Sequence, residues 1–415
     1  MQETPKGNRP HIAVFGRRNV GKSSLINALT NQDLALVSEI AGTTADPVYK
    51  AMELLPLGPV VMIDTAGIDD TGSLGELRVK KTYEVIRKTD LAVVVFDQGE
   101  GIGNYESELL SELRENEIPV IGVINKIDVV NEDLQTFKKE VETNFEIETV
   151  PVSAETEVGI EDLREKIAEK APSDYEQPHI IGDLIKTGET VVLVTPIDLA
   201  APKGRLILPQ VQTIRDVLDH DGINVITKES ELNQTLNKLK DNPKMVVTDS
   251  QAFAQVDAEV PREILMTSFS ILFARYKGDL ELFMEGCQKI KNLTPDDKIL
   301  IAEACTHRRT ADDIGTVKIP NWIRSQVGAD IEFDHVAGRE YPDNLKEYDL
   351  VLHCGGCMLN RKEVLSRIYE AHDTGIPVIN YGMAIAQLHG ILNRALEPFS
   401  EIHEMWKENI EKEAG

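Results

Sequence analysis

The segment Gly16-Arg17-Arg18-Asn19-Val20-Gly21-Lys22-Ser23 constrains this chain more than any other stretch. It fits the pattern G-x-x-x-x-G-K-[ST], after an apolar run at 11–16 and before a helix-forming run at 24–28. A loop of this kind cradles phosphates only when its backbone N–H groups converge, which needs a strand behind it and a helix N-terminus ahead of it. The surrounding fold is therefore expected to be a parallel sheet with crossover helices. Within the loop Lys22 can reach the β- and γ-phosphates and Ser23 can ligate Mg²⁺. Gly16, Asn19, Val20, Gly21 and Ser24 complete the phosphate-binding set.

Three further motifs follow in chain order, each at the carboxyl end of an expected strand. Asp64-Thr65-Ala66-Gly67 places an acid where it can hold Mg²⁺ through water, and the Gly67 N–H where it can sense the γ-phosphate. In Asn125-Lys126-Ile127-Asp128 the Asp128 carboxylate can accept both N–H donors of a guanine edge, a donor pair that adenine lacks. Ser153-Ala154 fits a loop whose backbone N–H meets the guanine O6. Together the four motifs predict GTP as ligand and GTP hydrolysis as reaction, with Lys22 and Gly67 at the reacting phosphate.

Strands are expected at 11–16, 60–64, 91–97, 120–125 and 149–153, with helices at 108–115, 134–144 and 160–170. Residues 1–172 thus read as a GTP-binding G domain, closing at Ala171-Pro172 before a polar linker SDYEQP. A small α/β unit is expected at 173–262, with strands at 190–195 and 244–248 and helices near 211–218 and 229–239. It carries no chemical motif, so self-association, a dimerisation role, is its expected function. In 263–415 two helical stretches, 263–276 and 280–290, lead into strands at 298–303, 331–335, 350–353 and 377–380. Helices at 322–327 and 362–373 alternate with these strands, giving a second doubly wound sheet. The fold class is α/β: an N-terminal P-loop G domain, a small middle α/β domain and a C-terminal doubly wound α/β domain.

The charge balance restricts partners. With 70 acidic against 44 basic residues the net charge is −26, and phosphate neutralisation by Lys and Arg drives nucleic-acid binding, so no nucleic-acid partner is expected. No apolar run approaches the ~18 residues of a membrane span, and the N-terminus lacks an apolar signal core. The expected location is the cytoplasm, with no membrane association. In a reducing compartment the four cysteines are not expected to form structural disulfides.

Three of those cysteines form a constellation: Cys305-Thr306-His307, and further on His353-Cys354-Gly355-Gly356-Cys357. Cys-x-x-Cys offers two thiolates from one tight loop, and both groups follow apolar strands, at the sheet edge where ligands bind. Three readings stand open on the residues alone. Zinc could complete a Cys₃His tetrahedron. An iron–sulfur cluster could use the three thiolates and leave one iron for another ligand. The thiols could also be reduced and metal-free. Cys287, in a helical apolar stretch, is expected to be a packing residue.

The P-loop GRRNVGKS resembles that of the TrmE–Era-like branch of translation-factor-related GTPases, and Gly42-Thr43-Thr44 with Asp46 resembles its switch I. The resemblance implies that Thr44 is a Mg²⁺ ligand and catalytic residue, and that Asn19 helps bind a K⁺ ion that stabilises transition-state charge. Ala45 departs from the basic residue of many relatives, and Ile68 follows DTAG where many small GTPases carry the glutamine that orients water. Segments 33–46 and 67–80 are expected to switch with the γ-phosphate.

A G domain of this type followed by C-x-H…H-C-x-x-C resembles, over the whole chain, the HydF family of iron–iron hydrogenase maturation GTPases. That resemblance implies a 4Fe–4S cluster held by Cys305, Cys354 and Cys357. It implies a scaffold and carrier for a diiron precursor, received from radical-SAM maturases and delivered to apo iron–iron hydrogenase, and a homodimer or higher homo-oligomer. The fourth cluster ligand stays open among His307, His353, His335, Glu401, Glu404 and an exchangeable group. The competing reading is a TrmE–Era-like GTPase of ribosome or tRNA maturation with a structural zinc site. The acidic balance speaks against it.

Overall fold

A computed structural model describes residues 5–30, 47–65, 81–129, 133–172, 178–196, 206–304, 313–338, 342 and 344–414. The chain divides into two compact units, Met1–Gln177 and Pro178–Gly415.

The first unit is built on six strands: β1 His11–Gly16, β2 Val48–Leu54, β3 Gly58–Asp64, β4 Leu91–Asp97, β5 Val120–Asn125 and β6 Glu148–Pro151. They lie in the order β2-β3-β1-β4-β5-β6. All neighbours are parallel except β2, which runs antiparallel to β3. Every residue of β1 and β4 is buried, as an uninterrupted apolar strand covered on both faces must be. Successive side chains on β1 enter opposite cores. Ile12 and Val14 pack with the helices Lys22–Thr30 and Ile160–Lys170, whereas Ala13 and Phe15 pack with Asn104–Glu115 and Leu134–Phe145. The unexpected strand is β2, whose two charged residues, Lys50 and Glu53, among partly exposed neighbours suit a half-exposed sheet edge.

The second unit holds two four-stranded sheets. β7 Thr190–Val194, β8 Ile223–Thr227, β9 Met245–Thr248 and β10 Leu265–Ser268 are ordered β10-β9-β7-β8. β11 Lys298–Glu303, β12 Glu332–Ala337, β13 Leu350–His353 and β14 Val378–Asn380 are ordered β12-β11-β13-β14. Both sheets are parallel throughout. The helix expected over 263–276 is a strand followed by a helix. Residues 265–268 extend to pair with β9, and only then does Phe269–Lys277 coil, with the Ser268 side chain capping the Ile271 N–H at 3.3 Å.

One apolar core runs through both sheets of this unit. Polar ties reinforce it: the Thr267 hydroxyl on β10 donates to the Ala395 carbonyl at 2.9 Å. Buried Arg394 binds the Asp257 carboxylate and the carbonyls of Val260 and Pro261. Among the described residues no helix is long and apolar enough to cross a membrane.

Candidate functional site

The strand ends converge as the motifs require. After β1 the chain turns through Gly16 (φ +148°), Asn19 (φ +62°) and Gly21 (φ +95°) and enters the helix Lys22–Thr30. Lys22 is buried, its Nζ donating to the carbonyls of Gly16 at 2.9 Å and Arg17 at 2.7 Å, so the ammonium lies in the bowl of the loop. Beside it the Ser23 hydroxyl donates to Asp64 Oδ2 at 2.6 Å, which joins the loop to the end of β3. Burial raises the Asp64 carboxyl above its ordinary range, against the Ser23 hydrogen bond and the charges of Lys22 and Lys50. A divalent cation between Ser23 and Asp64 would add countercharge to that of Lys22 and Lys50. Val20 is buried under the loop, while Asn19 and Ser24 face solvent.

Asn125 braces the base side of the site against the phosphate side. Its Nδ2 donates to the Val20 carbonyl at 2.8 Å, and its Oδ1 accepts the Ala154 N–H at 3.1 Å. The backbone N–H expected to meet the guanine O6 is thus given to Asn125 in this state. Lys126, at φ +62°, donates to Asp97 Oδ2 at 2.6 Å, and the Asp128 carboxylate is exposed where a base edge can reach it. Fully buried Ser153 turns its loop by accepting the Thr156 N–H at 3.1 Å. Thr44 and Gly67, with both switch segments, lie outside the described residues.

Gly21 is held to glycine twice over. Its φ disfavours a side chain, and a Cβ there would overlap Asn125 Nδ2. Gly21→Ala should therefore displace the Asn125 brace and weaken guanine-nucleotide binding about tenfold or more, the loss of roughly one hydrogen bond plus backbone strain. Titration with a fluorescent GDP analogue reads this, and unchanged affinity would show that the brace does not govern binding.

The other constellation forms at the carboxyl edge of the second unit's C-terminal sheet. β11 and β13 are parallel neighbours with Ala302 opposite His353, so the Cys305 and Cys354 segments leave adjacent strands at one edge. Cys354 Sγ accepts the N–H of Ala304, the residue before Cys305, at 3.1 Å, and that of Gly356 at 3.5 Å. Cys305 and His307 themselves lie outside the described residues. His353 is almost fully buried, with Nδ1 bonded to the Cys354 carbonyl at 2.6 Å, and its Nε2 finds no hydrogen-bond partner among the described residues. Burial first, and the Arg367 charge second, lower its pKa to about 4, leaving a neutral imidazole at pH 7. A sulfur accepting two N–H bonds, beside a neutral ring with an unsatisfied nitrogen, fits a metal or iron–sulfur centre.

The remaining fourth-ligand candidates are placed differently. His335 lies on the edge strand β12 opposite Ile301, two positions short of Glu303. Glu401 and Glu404 are exposed on Ser400–Ala414, whose Trp406 packs over Lys291 near the amino end of β11. Cys287 is completely buried and its thiol is pushed well up by burial, as a packing residue should be.

Four residues of these sites carried no motif. Asp97 and Glu106 hold Lys126 and Arg17, the latter through a 2.6 Å bond from Arg17 Nη2. Glu303 accepts the Tyr381 hydroxyl at 3.3 Å next to Ala304. Lys277, 1% exposed, sends its Nζ to the carbonyls of Gly356 at 3.3 Å, Cys357 at 3.2 Å and Leu359 at 2.7 Å. Asp97 and Glu303 left a trace in sequence, each an acid ending an apolar strand.

Comparison with known proteins matches three stretches of the chain. Residues 11–126 match the family model of the 50S ribosome-binding GTPase. Residues 180–278 match the hydrogen maturase F dimerization domain, and 281–398 the hydrogen maturase F tetramerization domain. The first of these two stretches takes in β10 and the helix after it, both beyond residue 262. The tRNA modification GTPase MnmE of Aquifex aeolicus (strain VF5) is 34% identical over 168 residues, 40% of this chain and 35% of that protein. MnmE of Moorella thermoacetica (strain ATCC 39073 / JCM 9320) is 38% identical over 164 residues, 38% of this chain and 34% of that protein. The chain thus spans about a third of the length of these curated relatives. A crystal structure of Aquifex aeolicus Era bound to GDP and aluminium fluoride aligns at a TM-score of 0.37 and 21% identity, covering 52% of this chain and 93% of that one. The N-terminal unit is a P-loop GTPase domain, and two oligomerisation domains follow it.

Proposed function

The chain belongs to the hydrogen maturase F family, and on that premise we propose that it is a GTP-regulated iron–sulfur scaffold. In this reading it holds a 4Fe–4S cluster, receives a diiron precursor from radical-SAM maturases and hands it to apo iron–iron hydrogenase. The observation that supports it best is the thiol loop: Cys354 Sγ accepts the N–H of the residue preceding Cys305, at the open edge of a parallel sheet. Cys305, Cys354 and Cys357 would hold three irons, and the cluster would supply an iron with an exchangeable position for the cargo. His353, with its unsatisfied Nε2, is the fourth ligand we favour.

In the G domain we assign Lys22 to the β- and γ-phosphates, Ser23, Thr44 and Asp64 to Mg²⁺, and Asp128 to the guanine edge. Gly67 would report the γ-phosphate and Asn19 would help hold K⁺. Asn125 acts through the loop it braces rather than through the base. Hydrolysis would alter partner binding through the switch segments.

The test is anaerobic iron–sulfide reconstitution of the full chain, with metal analysis and EPR of the dithionite-reduced protein. Four irons per chain and a reduced-cluster signal, both lost on changing Cys305, Cys354 or Cys357 to Ala, are expected. Stoichiometric zinc with no such signal would overturn the scaffold reading in favour of a GTPase with structural zinc.

A further inference from the structure

A second set of ligating side chains lies elsewhere in the second unit, in neither the thiol loop nor the nucleotide site. His179, Asp216 and His220 each present one donor atom, and the three atoms fall within 4.8 Å of one another. Residues 41 positions apart in sequence meet here because Asp216 on the helix Leu208–Asp219 captures the chain where the unit begins. Asp216 Oδ2 accepts the N–H groups of Ile181 and Gly182, each at 2.7 Å. The carboxylate is thereby fixed, and its other oxygen lies 3.8 Å from His220 Nδ1.

His220 is fixed as well. His220 caps the same helix with Nδ1 bonded to the Asp216 carbonyl at 2.8 Å, which puts the proton on Nδ1 and leaves the Nε2 lone pair for a ligand. Its ring lies against the backbone of Gly182, where any Cβ would collide with it. The His179 ring meets it edge-on, centroids 4.5 Å apart at 84°, and Arg275 anchors the chain there through the His179 carbonyl at 3.4 Å. Metal-binding imidazoles characteristically give their other nitrogen to a carbonyl in this way, so orientation precedes binding.

We propose that His179, Asp216 and His220 form a site for a zinc-class divalent ion, clamping the start of the second unit onto the helix Leu208–Asp219. Two imidazoles and one carboxylate are a borderline donor set that suits Zn²⁺ or Co²⁺ rather than the all-oxygen sets of Mg²⁺ or Ca²⁺. Tetrahedral zinc at ~2.0–2.1 Å from each ligand brings donors to about 3.4 Å of one another, so the 4.8 Å span closes by up to about 1.4 Å, with the His179 ring as the member that turns. All three residues are half-buried, so a fourth position stays open to water.

The test uses the untagged full chain with Cys305, Cys354 and Cys357 changed to Ser, so that thiolates do not compete. Titration with Co²⁺ should fill one site per chain and give d–d absorption of nitrogen–oxygen coordination, without sulfur-to-cobalt charge transfer. Zn²⁺ should displace the cobalt and raise the melting temperature. His220→Ala and Asp216→Asn should each weaken binding at least tenfold. The asparagine still accepts the Ile181 and Gly182 N–H bonds, so its loss of affinity reads the missing charge and not a broken fold. Absence of cobalt uptake at 100-fold excess, or uptake unchanged in both variants, would overturn the site.

Discussion

A Lys22→Ala chain should hydrolyse GTP about 10²–10³-fold more slowly than the parent, the loss typical of removing one preorganised charge from a developing negative charge. Phosphoryl transfer is catalysed almost wholly by positioning and electrostatics, so a cation in the phosphate bowl carries much of the effect. The structure shows it in place: Lys22 is buried, and its Nζ donates to main-chain carbonyls 2.9 and 2.7 Å away, bonds it can exchange for phosphate oxygens. The same chain should take up iron and sulfide as the parent does, because the thiol loop lies in the other compact unit. Single-turnover hydrolysis and iron content, measured on one preparation, check both halves. A variant that lost its iron as well would mean that the two units do not fold independently.

The second large effect is expected at Lys277. Lysine is rarely buried without a carboxylate partner, yet this ammonium bonds three carbonyls of the 356–359 loop instead. Burial lowers its pKa to about 8, against the opposing pull of Cys357 and Cys354, so it remains mostly charged at pH 7. A cation so placed holds the loop and, on the scaffold reading proposed above, would offset the charge of thiolates and of a reduced cluster. Lys277→Met keeps the apolar stem and removes the charge. Reconstituted iron should fall to less than half, and the midpoint potential of the remaining cluster should drop by roughly 50–100 mV, a unit charge at an effective dielectric of about 20. Spectroelectrochemical titration separates this from a packing role, which would leave the potential where it was.

Legibility in the sequence followed burial on both faces. β1, β4, β5, β11 and β13 could be bounded to the residue because each is an apolar run stopped by Gly, Asp, Asn, Glu or a histidine–cysteine pair. The strands that escaped, β2, β8 and β10, are those whose pattern is shared. β2 carries two charges at a half-exposed edge, β8 is half-exposed, and β10 runs straight into a helix with only the Ser268 cap to mark the change. The nucleotide motifs were legible because phosphate chemistry fixes their local spacing. Lys277 was not, since its partners lie 79 to 82 positions away and nothing in a basic residue at a helix end announces them. Of the His179–Asp216–His220 group only the four-residue step between the last two was visible, and on a helix that step is commonplace.

The continuous interior of the second unit has a bearing on how this protein can be dismantled. A cut near residue 262 would separate β10 from β9 and leave Arg394 facing water where Asp257 had been. Each half would bare an oily flank that its former neighbour used to cover, the surface by which fragments clump rather than refold. The tolerable seam is at 177–178, so truncations, domain swaps between relatives and evolutionary shuffling should all treat 178–415 as one indivisible part.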